Sequence, residues 1–503
     1  MKFLKFLLSR FVINSILILL QIIGVIYLFV ELSNYFVYVH ITILVISYII
    51  LLFLINNKNN PQLKIPWMIF VLIFPIPGVI SYLLYSNQTL SKKVTKKLKR
   101  IEQKILPFLD TKELELPKDI QSQTTYIANT SKFKPTMNND VKYFSSGEMM
   151  YESILKDLKQ AKEFIFLEFF ILYKGSMLEE IVSILKQKVD EGLDVRVIYD
   201  DIGSIKHLPS NYDKYLNKLG IKCVKFYPFV PIMSTIHNNR DHRKAIIIDG
   251  VIAYTGGINI SDEYINKTSP FGYWKDNGIK VMGEGVKNFT GLFLMTWNCF
   301  YKKEDTDYSI FFKDTDILSD VVTLQFGDGP SPMYDDFIGE NVYLNIINRS
   351  TKYLYITTPY LIVDYSITNA LKNAAKRGVD VRIVVPHIPD KKPVFWITQS
   401  SYLDLIESGV KIYEYTPGFI HSKCILSDGD LAIVGTINFD YRSLVHHFEC
   451  ACLLYKVNCY NDILNDYHNI ISESHLVTQE EARKVNRGRK LIVSVIQFFS
   501  PLL

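Results

Sequence analysis

The chain has 503 residues, of which 48% are hydrophobic and 13% aromatic, so it is long and apolar enough to form two domain-sized cores. A mean hydropathy of +0.11 is high for a soluble enzyme and predicts that part of the chain lies in a membrane. The net charge of +5 excludes a uniformly basic surface, so affinity for anions must come from local clusters. The six cysteines have no CxxC spacing, which favours a reduced compartment over a disulfide framework.

Three apolar segments occupy the N-terminal region: 11–32, 36–55 and 65–85. Each is close to the roughly 20 residues needed to cross a bilayer, so we predict that the first two form a transmembrane hairpin. The third contains Pro75 and Pro77 near its middle and is expected either to kink within the membrane or to re-enter it. Residues 1–90 are therefore predicted to anchor the protein in the cell membrane as a multi-pass segment.

A basic stretch follows the anchor, with seven Lys or Arg residues and one Glu between positions 92 and 104. Within the predicted linker 91–123, this stretch is either a solvated helix face or a contact with anionic lipid head groups. Lys2, Lys5 and Arg10 precede the first apolar segment, and basic residues favour the cytoplasmic side of a membrane. If the third apolar segment is re-entrant, this rule places both the N-terminus and the catalytic domain in the cytoplasm.

Helical and strand patterns alternate in two similar halves, which we predict at 124–330 and 331–503. The run GLDVRV at 192–197 recurs as GVDVRI at 378–383 and aligns the two halves. We therefore predict an α/β fold in which N-terminal transmembrane helices precede two similar α/β domains with mixed sheets. The two domains are expected to face one shared active-site cleft.

One motif occurs once in each half and is the main functional signal of the sequence. A His is followed by Lys at +2, Asp at +7, Gly at +14 and Asn at +17. The residues are His242, Lys244, Asp249, Gly256 and Asn259 in the first half, and His421, Lys423, Asp428, Gly435 and Asn438 in the second. Two such copies are too rare to arise by chance, so we expect both to serve one function.

The spacing within the motif predicts a β-hairpin in each half. Apolar runs flank an Asp-Gly pair, which is typical of two strands joined by a tight turn. A His and a Lys two residues apart on a strand point to the same face, and the returning strand brings the Asn back beside them. Asp249 and Asp428 then lie at the turns, roughly 20 Å from the His at about 3.3 Å per residue. We expect these Asp residues to shape the hairpins rather than to contact substrate.

Paired His, Lys and Asn side chains fit the transfer of a phosphoryl group. One His attacks phosphorus while the other protonates the leaving oxygen, and the Lys and Asn side chains bind the phosphoryl oxygens. No cofactor and no metal is expected, because the Lys ammonium groups would repel a cation. Two acids are candidates for orienting the imidazoles, Asp276 for His242 and Glu449 for His421, unless each is an ordinary charge at the end of a strand.

The doubled motif resembles the phospholipase D superfamily from about residue 143 to the C-terminus, and within it the bacterial cardiolipin synthases. The resemblance also rests on the segments 239–244, 274–276 and 417–423. It implies that His242 forms a phosphohistidine intermediate and that His421 is the general acid. It also implies the reaction, in which two phosphatidylglycerols give cardiolipin and glycerol.

The chain departs from the family pattern at three places. Thr436 stands where Ser is common, His447 where Asn is common, and Asn277 with the following Gly where Thr-His is common. Thr436 is a conservative replacement. The other two lie beside Glu449 and Asp276, the acids expected to orient the imidazoles. The remaining His residues of the chain, His447 included, are interpreted as surface or packing residues.

A phospholipase D-type hydrolase acting on phospholipid or nucleic acid would carry the same His and Lys pairs, so this alternative stays open. The near-balanced charge of the two halves argues against nucleic acid as a partner. A membrane scaffold without activity would be expected to lack a His or a Lys in one half. The expected partners are thus the membrane and phosphatidylglycerol, and the sequence leaves the oligomeric state open.

The C-terminal run 487–503 begins with basic residues and continues with largely apolar ones. It is too short to span a bilayer but long enough for an interfacial helix. We predict either that this helix docks the cleft on the membrane or that it closes the core of the second half.

Overall fold

The computed structural model describes residues 37–57, 61–86, 90–111, 113–229, 238–484 and 487–499, with short pieces between 19 and 31. Among these residues, no helix combines the length and the apolar character needed to cross a membrane. The first predicted span, 11–32, lies mostly outside the described residues. The predicted transmembrane helices are therefore not confirmed and stay a prediction.

The N-terminal region contains the helices Val37–Asn56, Pro61–Ile73 and Pro75–Tyr85. The third helix starts with a proline, which lacks a backbone N–H and is favoured in the first turn of a helix. Trp67 meets Tyr82 edge to face with ring centroids 5.6 Å apart. Gly78 approaches the backbone of Val71 so closely that a side chain there would not fit. The segment 65–85 therefore folds back on itself instead of forming one continuous helix.

The segment predicted as a basic linker is instead packed into the globular part of the protein. Its helix Lys92–Ile105 buries Leu98 and Ile101 in the main hydrophobic core. Lys97 donates a hydrogen bond to the carbonyl oxygen of Cys299 at 2.6 Å, and Lys104 pairs with Glu304. An amphipathic helix with a basic outer face accounts for both the charge and the packing, so the linker prediction at 91–123 is wrong.

The first half forms eight strands: β1 (Asn139–Phe144), β2 (Phe164–Phe169), β3 (Asp194–Asp200), β4 (Lys222–Phe226), β5 (Lys244–Ile248), β6 (Ile252–Gly256), β7 (Tyr273–Lys275) and β8 (Gly278–Gly283). Seven of them make a mixed sheet in the order β1-β8-β6-β5-β2-β3-β4, in which β2, β3 and β4 are parallel. The interior strand β2 is buried along its length because its side chains are apolar except for Glu168. The helices of this half are Gly147–Gln160, Ser176–Asp190, Asp201–Ser204, Tyr212–Lys218 and Val286–Phe300.

The second half forms β9 (Val322–Asp328), β10 (Tyr353–Thr357), β11 (Leu361–Ile362), β12 (Asp380–Pro386), β13 (Lys411–Tyr415), β14 (Gly418–Ile420), β15 (Cys424–Ser427), β16 (Leu431–Gly435), β17 (Phe439–Asp440), β18 (Glu449–Tyr455) and β19 (Ser474–Leu476). Its main sheet has the order β19-β13-β12-β10-β15-β16-β18-β9. Apart from the added edge strand β19, this order repeats that of the first sheet. The predicted pair of similar α/β domains with mixed sheets is confirmed.

The helices of the second half are Ile338–Arg349, Tyr365–Lys376, Lys392–Ser400, Tyr402–Ile406, Tyr460–Ser472, Gln479–Arg483 and Arg487–Phe499. The domain boundary lies earlier than predicted, because β9 pairs with β18 although its residues precede position 331. The helix Lys118–Ser131 also joins this half, since the Asn341 amide donates to the Tyr126 hydroxyl at 2.8 Å. One continuous core contains side chains of both halves, for example Phe293 and Leu453.

Candidate active site

Each motif forms the predicted hairpin, β5 with β6 and β15 with β16. Asp249 and Asp428 lie at the turns with φ of 53° and 56°, a left-handed conformation that Asp tolerates. The Asp249 carboxylate accepts the backbone N–H groups of Lys162, Glu163 and Phe164 at 2.8, 2.7 and 2.9 Å. It thereby fixes the turn to the start of β2.

The second hairpin is held in the same way. Asp428 accepts the backbone N–H groups of Thr351, Lys352 and Tyr353 at 2.8, 2.8 and 3.0 Å, and the Thr351 hydroxyl at 3.0 Å. Both Asp residues of the motif therefore have their carboxylates engaged by backbone at the turn. Each turn lies at the far end of its first strand from the His.

Short parallel strand pairings join the two halves, and each of them ends next to a His residue of the motif. β14 pairs with β7, and the His421 N–H then donates to the Lys275 carbonyl oxygen at 2.7 Å. In the equivalent place, the His242 N–H donates to the Phe448 carbonyl oxygen at 2.9 Å. The Phe448 N–H donates in turn to the Arg240 carbonyl oxygen at 2.8 Å. Each His is therefore set beside the strand of the opposite half.

This pairing gives each imidazole a carboxylate from the opposite half. The His242 Nδ1 lies 2.8 Å from Glu449 Oε1, and the His421 Nδ1 lies 2.8 Å from Asp276 Oδ2. We predicted the reverse, with Asp276 beside His242 and Glu449 beside His421. The prediction is wrong because it paired each His with an acid of its own half, whereas the parallel pairings cross between the halves.

Burial sets the protonation of these groups. It lowers the pKa of His242 to about 3 and that of His421 to about 4, although the adjacent carboxylates act in the opposite direction. At pH 7 both imidazoles are therefore neutral. Burial alone would raise the pKa of Glu449 and of Asp276, but the neighbouring His residues hold both below the usual range. Each carboxylate is thus ionised and accepts the Nδ1 proton of its imidazole, which leaves Nε2 as a free base.

Both Lys residues of the motif are buried next to the His residues. Lys244 Nζ donates to the His242 carbonyl oxygen at 2.6 Å, and Lys423 Nζ likewise donates to the His421 carbonyl oxygen. Burial lowers the pKa of Lys244 to about 8 and that of Lys423 to about 7. The charge of Lys244 also lowers the pKa of His421, which lies in the other half. The contacts of each His with the opposite half place the two sets of motif residues in one site.

The two Asn residues of the motif differ in their surroundings. The Asn259 carbonyl oxygen accepts the Ile171 N–H at 3.1 Å, and its amide donates to the Tyr264 hydroxyl at 2.7 Å. Asn438 is also buried, but its Oδ1 has no hydrogen-bond partner in the part of the chain that the structure describes. The Asn438 carbonyl oxygen is therefore available to a ligand.

Sequence reasoning missed two groups that contact the site. His447, interpreted as a packing residue, has its ring centroid 5.4 Å from that of His242. Arg243, the residue between His242 and Lys244, is buried and pairs with Asp241 and Glu168, both at 2.9 Å. His447 lies two residues before Glu449, just ahead of β18, and this closeness in sequence to a candidate acid was a usable signal. No sequence pattern predicted that Arg243 would pair with Asp241 and Glu168.

The arrangement can carry out metal-independent transfer of a phosphoryl group. A neutral imidazole with its Nδ1 proton held by a carboxylate is a nucleophile or a base at Nε2. Two buried Lys side chains supply positive charge where the phosphoryl oxygens would lie. Aromatic side chains line the site next to each imidazole, with Phe170 5.0 Å from His242 and Trp274 5.4 Å from His421 by ring centroids.

The sequence and fold match known proteins along most of the chain. The family model "Cardiolipin synthase, PLD-like domain" matches residues 154–271 and 343–471. An uncharacterized protein of Streptococcus mutans is 41% identical over 90% of this chain and 99% of its own length. Cardiolipin synthase 1 of Staphylococcus aureus is 33% identical over 92% of this chain and 95% of its own length.

Among solved structures, phosphatidylserine synthase of Haemophilus influenzae superposes with a TM-score of 0.59. The match covers 77% of this chain and 100% of that protein at 15% identity, so it bears on the fold alone. The doubled fold, the paired motifs and the extended identity to curated relatives agree with one another. The chain therefore belongs to the cardiolipin synthase family of phospholipase D-type phosphatidyltransferases.

Proposed function

We propose that this enzyme joins two phosphatidylglycerol molecules into cardiolipin and releases glycerol, through a phosphohistidine on His242. The observation that carries the proposal is the pair of buried imidazoles, each held at Nδ1 by a carboxylate 2.8 Å away and each beside a buried Lys. Such a site can hold a phosphodiester between two bases of equal geometry. It therefore suits a reaction in which one alcohol leaves and another enters.

In the first step, His242 Nε2 attacks the phosphorus of one phosphatidylglycerol. The P–N bond forms, the P–O bond to the terminal glycerol breaks, and protonated His421 gives its proton to the departing oxygen. His421 is neutral at pH 7 on its own, because burial lowers its pKa to about 4. An anionic phosphodiester bound beside it favours the imidazolium, so His421 takes up a proton from water when the substrate binds and carries it into this step.

In the second step, the terminal hydroxyl of another phosphatidylglycerol attacks the phosphohistidine. Neutral His421 takes the hydroxyl proton, the new P–O bond forms, and the P–N bond breaks, which restores both imidazoles. Lys244 and Lys423 stabilise the charge on the phosphoryl oxygens in both steps. Asn438, whose carbonyl oxygen is unpaired within the described residues, accepts a hydrogen bond from a glycerol hydroxyl.

Product analysis with purified enzyme and phosphatidylglycerol vesicles tests the proposal. We expect cardiolipin and glycerol in equal amounts, unchanged by a chelator, and an acid-quenched phosphohistidine that is lost in His242→Ala. Phosphatidic acid as the main product would indicate hydrolysis instead of transfer. Label trapped on another residue in His242→Ala would refute the assignment of the nucleophile, and loss of activity with chelator would refute the metal-free reaction.

We also propose that the N-terminal region anchors the enzyme in the cell membrane, with the catalytic domain in the cytoplasm. The helix Val37–Asn56 leaves large apolar side chains about half or more exposed, among them Val45, Ile49, Leu52 and Phe53. An outward apolar surface of this kind favours contact with lipid over water. The folded-back helices between 61 and 85 support a segment that enters and leaves on the same side.

Cysteine labelling tests this topology. Lys96 is exposed on its helix, and all six native cysteines are buried, so they give little background. A Lys96→Cys variant is expected to resist a membrane-impermeant maleimide in intact cells and to react in inverted vesicles. Labelling in intact cells would place the catalytic domain outside.

A further inference from the structure

Three potential metal ligands meet at the proposed nucleophile. His242, His447 and Glu449 are all buried, and one ligand atom from each lies within 4.8 Å of the other two. His447 Nδ1 is 3.6 Å from Glu449 Oε1, which is itself 2.8 Å from His242 Nδ1. Two imidazoles and one carboxylate form the donor set that zinc accepts when a fourth position stays open to water.

The His447 side chain points to a ligand that the motif does not explain. It is 8% exposed, and its Nδ1 has no hydrogen-bond partner among the described residues. A buried imidazole nitrogen normally has a partner, so an unpaired one beside a second imidazole and an ionised carboxylate is suited to a cation. Phe170 covers the two imidazoles, with centroids 5.0 Å from His242 and 6.3 Å from His447.

We infer that His242, His447 and Glu449 bind a divalent transition metal ion such as Zn²⁺, and that this ion reversibly inhibits phosphatidyl transfer. The binding site follows from the geometry, and the inhibition rests on the proposed function. The ammonium group of Lys244 opposes the ion, so it binds as a competitor of the substrate and not as a permanent part of the enzyme. Among divalent ions, Mg²⁺ and Ca²⁺ are expected to be ineffective because they prefer oxygen ligands.

Inhibition follows whichever nitrogen of His242 the ion takes. An ion on Nε2 uses the lone pair that would attack phosphorus. An ion on Nδ1 displaces Glu449 from that nitrogen and leaves the single imidazole proton on Nε2, which again removes the lone pair. No proton is gained or lost in either case: an ion on Nε2 leaves the proton on Nδ1, and an ion on Nδ1 only changes the tautomer.

Direct binding tests the site independently of activity. Full-length wild-type protein is titrated with Co²⁺, whose visible absorption reports coordination by nitrogen and oxygen, and Zn²⁺ is then added to displace it. We expect a Co²⁺ spectrum and a Zn²⁺-dependent rise in Tm for wild type, both lost in His447→Asn. His387→Asn is the matched control, because His387 pairs with Glu414 at 2.8 Å but belongs to no group of three ligands within the described residues.

Inhibition is then measured as cardiolipin formation over a Zn²⁺ series buffered by a chelator. The Zn²⁺ concentration for half inhibition is expected to rise about tenfold or more in His447→Asn and to stay unchanged in His387→Asn. His447→Gln serves if the Asn variant folds poorly. Equal Zn²⁺ binding by wild type and both His447 variants would overturn the site. Binding without any effect on cardiolipin formation would overturn the inhibition while leaving the site, and absence of cardiolipin in metal-free buffer would overturn the proposed reaction instead.

Discussion

The crossed pairing of carboxylates makes a specific prediction for Asp276→Asn. Asp276 Oδ2 holds His421 Nδ1 at 2.8 Å, while Oδ1 accepts the Asn277 backbone N–H at 2.9 Å. A backbone N–H can only donate, so the carbonyl oxygen of an introduced Asn must stay on Asn277. The amide NH₂ group then faces His421 Nδ1 and forces that nitrogen to become an acceptor.

The change moves the single proton of His421 from Nδ1 to Nε2 and removes the negative charge that stabilises its imidazolium. His421 can then no longer accept the hydroxyl proton in the second step, and it becomes a weaker acid catalyst in the first. The corresponding Asp-to-Asn change in a Ser-His-Asp triad costs about 10⁴-fold, and a general acid contributes about 10²–10⁴-fold. We therefore expect cardiolipin formation to fall about 10³–10⁴-fold, or about 4–5.5 kcal/mol.

A substrate with a leaving group that needs no proton separates the two steps. With phosphatidyl-p-nitrophenol, Asp276→Asn is expected to release one nitrophenolate per enzyme in a fast burst and then to stall at the phosphohistidine. Glu449→Gln is the matched comparison, because it perturbs the nucleophile His242 instead and is expected to show no burst. Stopped-flow absorbance and acid quench measure both.

The reverse result would refute the reasoning. If Glu449→Gln gives the burst and Asp276→Asn does not, then the carboxylates act on the imidazoles of their own halves or the two His roles are exchanged. A burst of equal size in both variants would mean that neither carboxylate is needed for the attack. Circular dichroism and Tm of each variant confirm that the comparison is made on folded protein.

Three further predictions concern charge, the hairpins and the C-terminal helix. Burial lowers the pKa of Lys423 to about 7, so its charge is present below pH 7 and lost above it. In wild type, kcat/KM should therefore fall above pH 7. In Lys423→Arg the side chain stays charged, so this fall should disappear, although the maximum kcat/KM is lower. In Asp428→Asn the amide nitrogen replaces the oxygen that accepts the Thr351 backbone N–H, whereas the Thr351 hydroxyl can turn to accept from the amide. Urea unfolding should show a loss of about 1–3 kcal/mol with a near-normal rate per folded molecule; a stable protein that cannot form the phosphohistidine would contradict this. In the C-terminal helix, Ile492 and Val495 are 50% and 54% exposed, whereas Val493 is 4% exposed. Replacing Ile492 and Val495 by Glu should lower turnover on vesicles but not on short-chain soluble lipid, and Val493→Ala should instead lower the Tm; loss of both activities in the Glu variant would favour core closure over membrane docking.

The sequence predicted the features that depend on local patterns. An Asp-Gly pair between apolar runs determines a hairpin within a dozen residues, so the positions of Asp249 and Asp428 followed from counting. The doubled order of helices and strands followed from periodicity in each half. The helix Lys92–Ile105 carried the same kind of signal in Leu98 and Ile101, but the density of positive charge directed the interpretation to a linker.

The remaining features depend on contacts between distant segments, which no local pattern contains. β9 belongs to the second sheet because it pairs with β18, more than a hundred residues away, and this moved the domain boundary. The choice of carboxylate for each His depends on two short parallel pairings between the halves, of which β14 with β7 is only three residues long. Pairings this short have too few side chains to leave an alternating pattern, so equivalence by sequence position misassigned both acids.

The crossing also explains why the two halves must act as one unit. If each His were oriented by an acid of its own half, each half could hold its imidazole in the correct tautomer without the other. Docking of the halves would then only bring two already oriented imidazoles together. Here His242 lacks its acceptor until Glu449 of the second half is in place, and His421 lacks its acceptor until Asp276 of the first half is in place. The continuous hydrophobic core across the halves fixes this arrangement. Both imidazoles are therefore oriented only when the two halves of the chain are docked. As a result, each Nε2 is a free base only in the arrangement that can hold a substrate between His242 and His421.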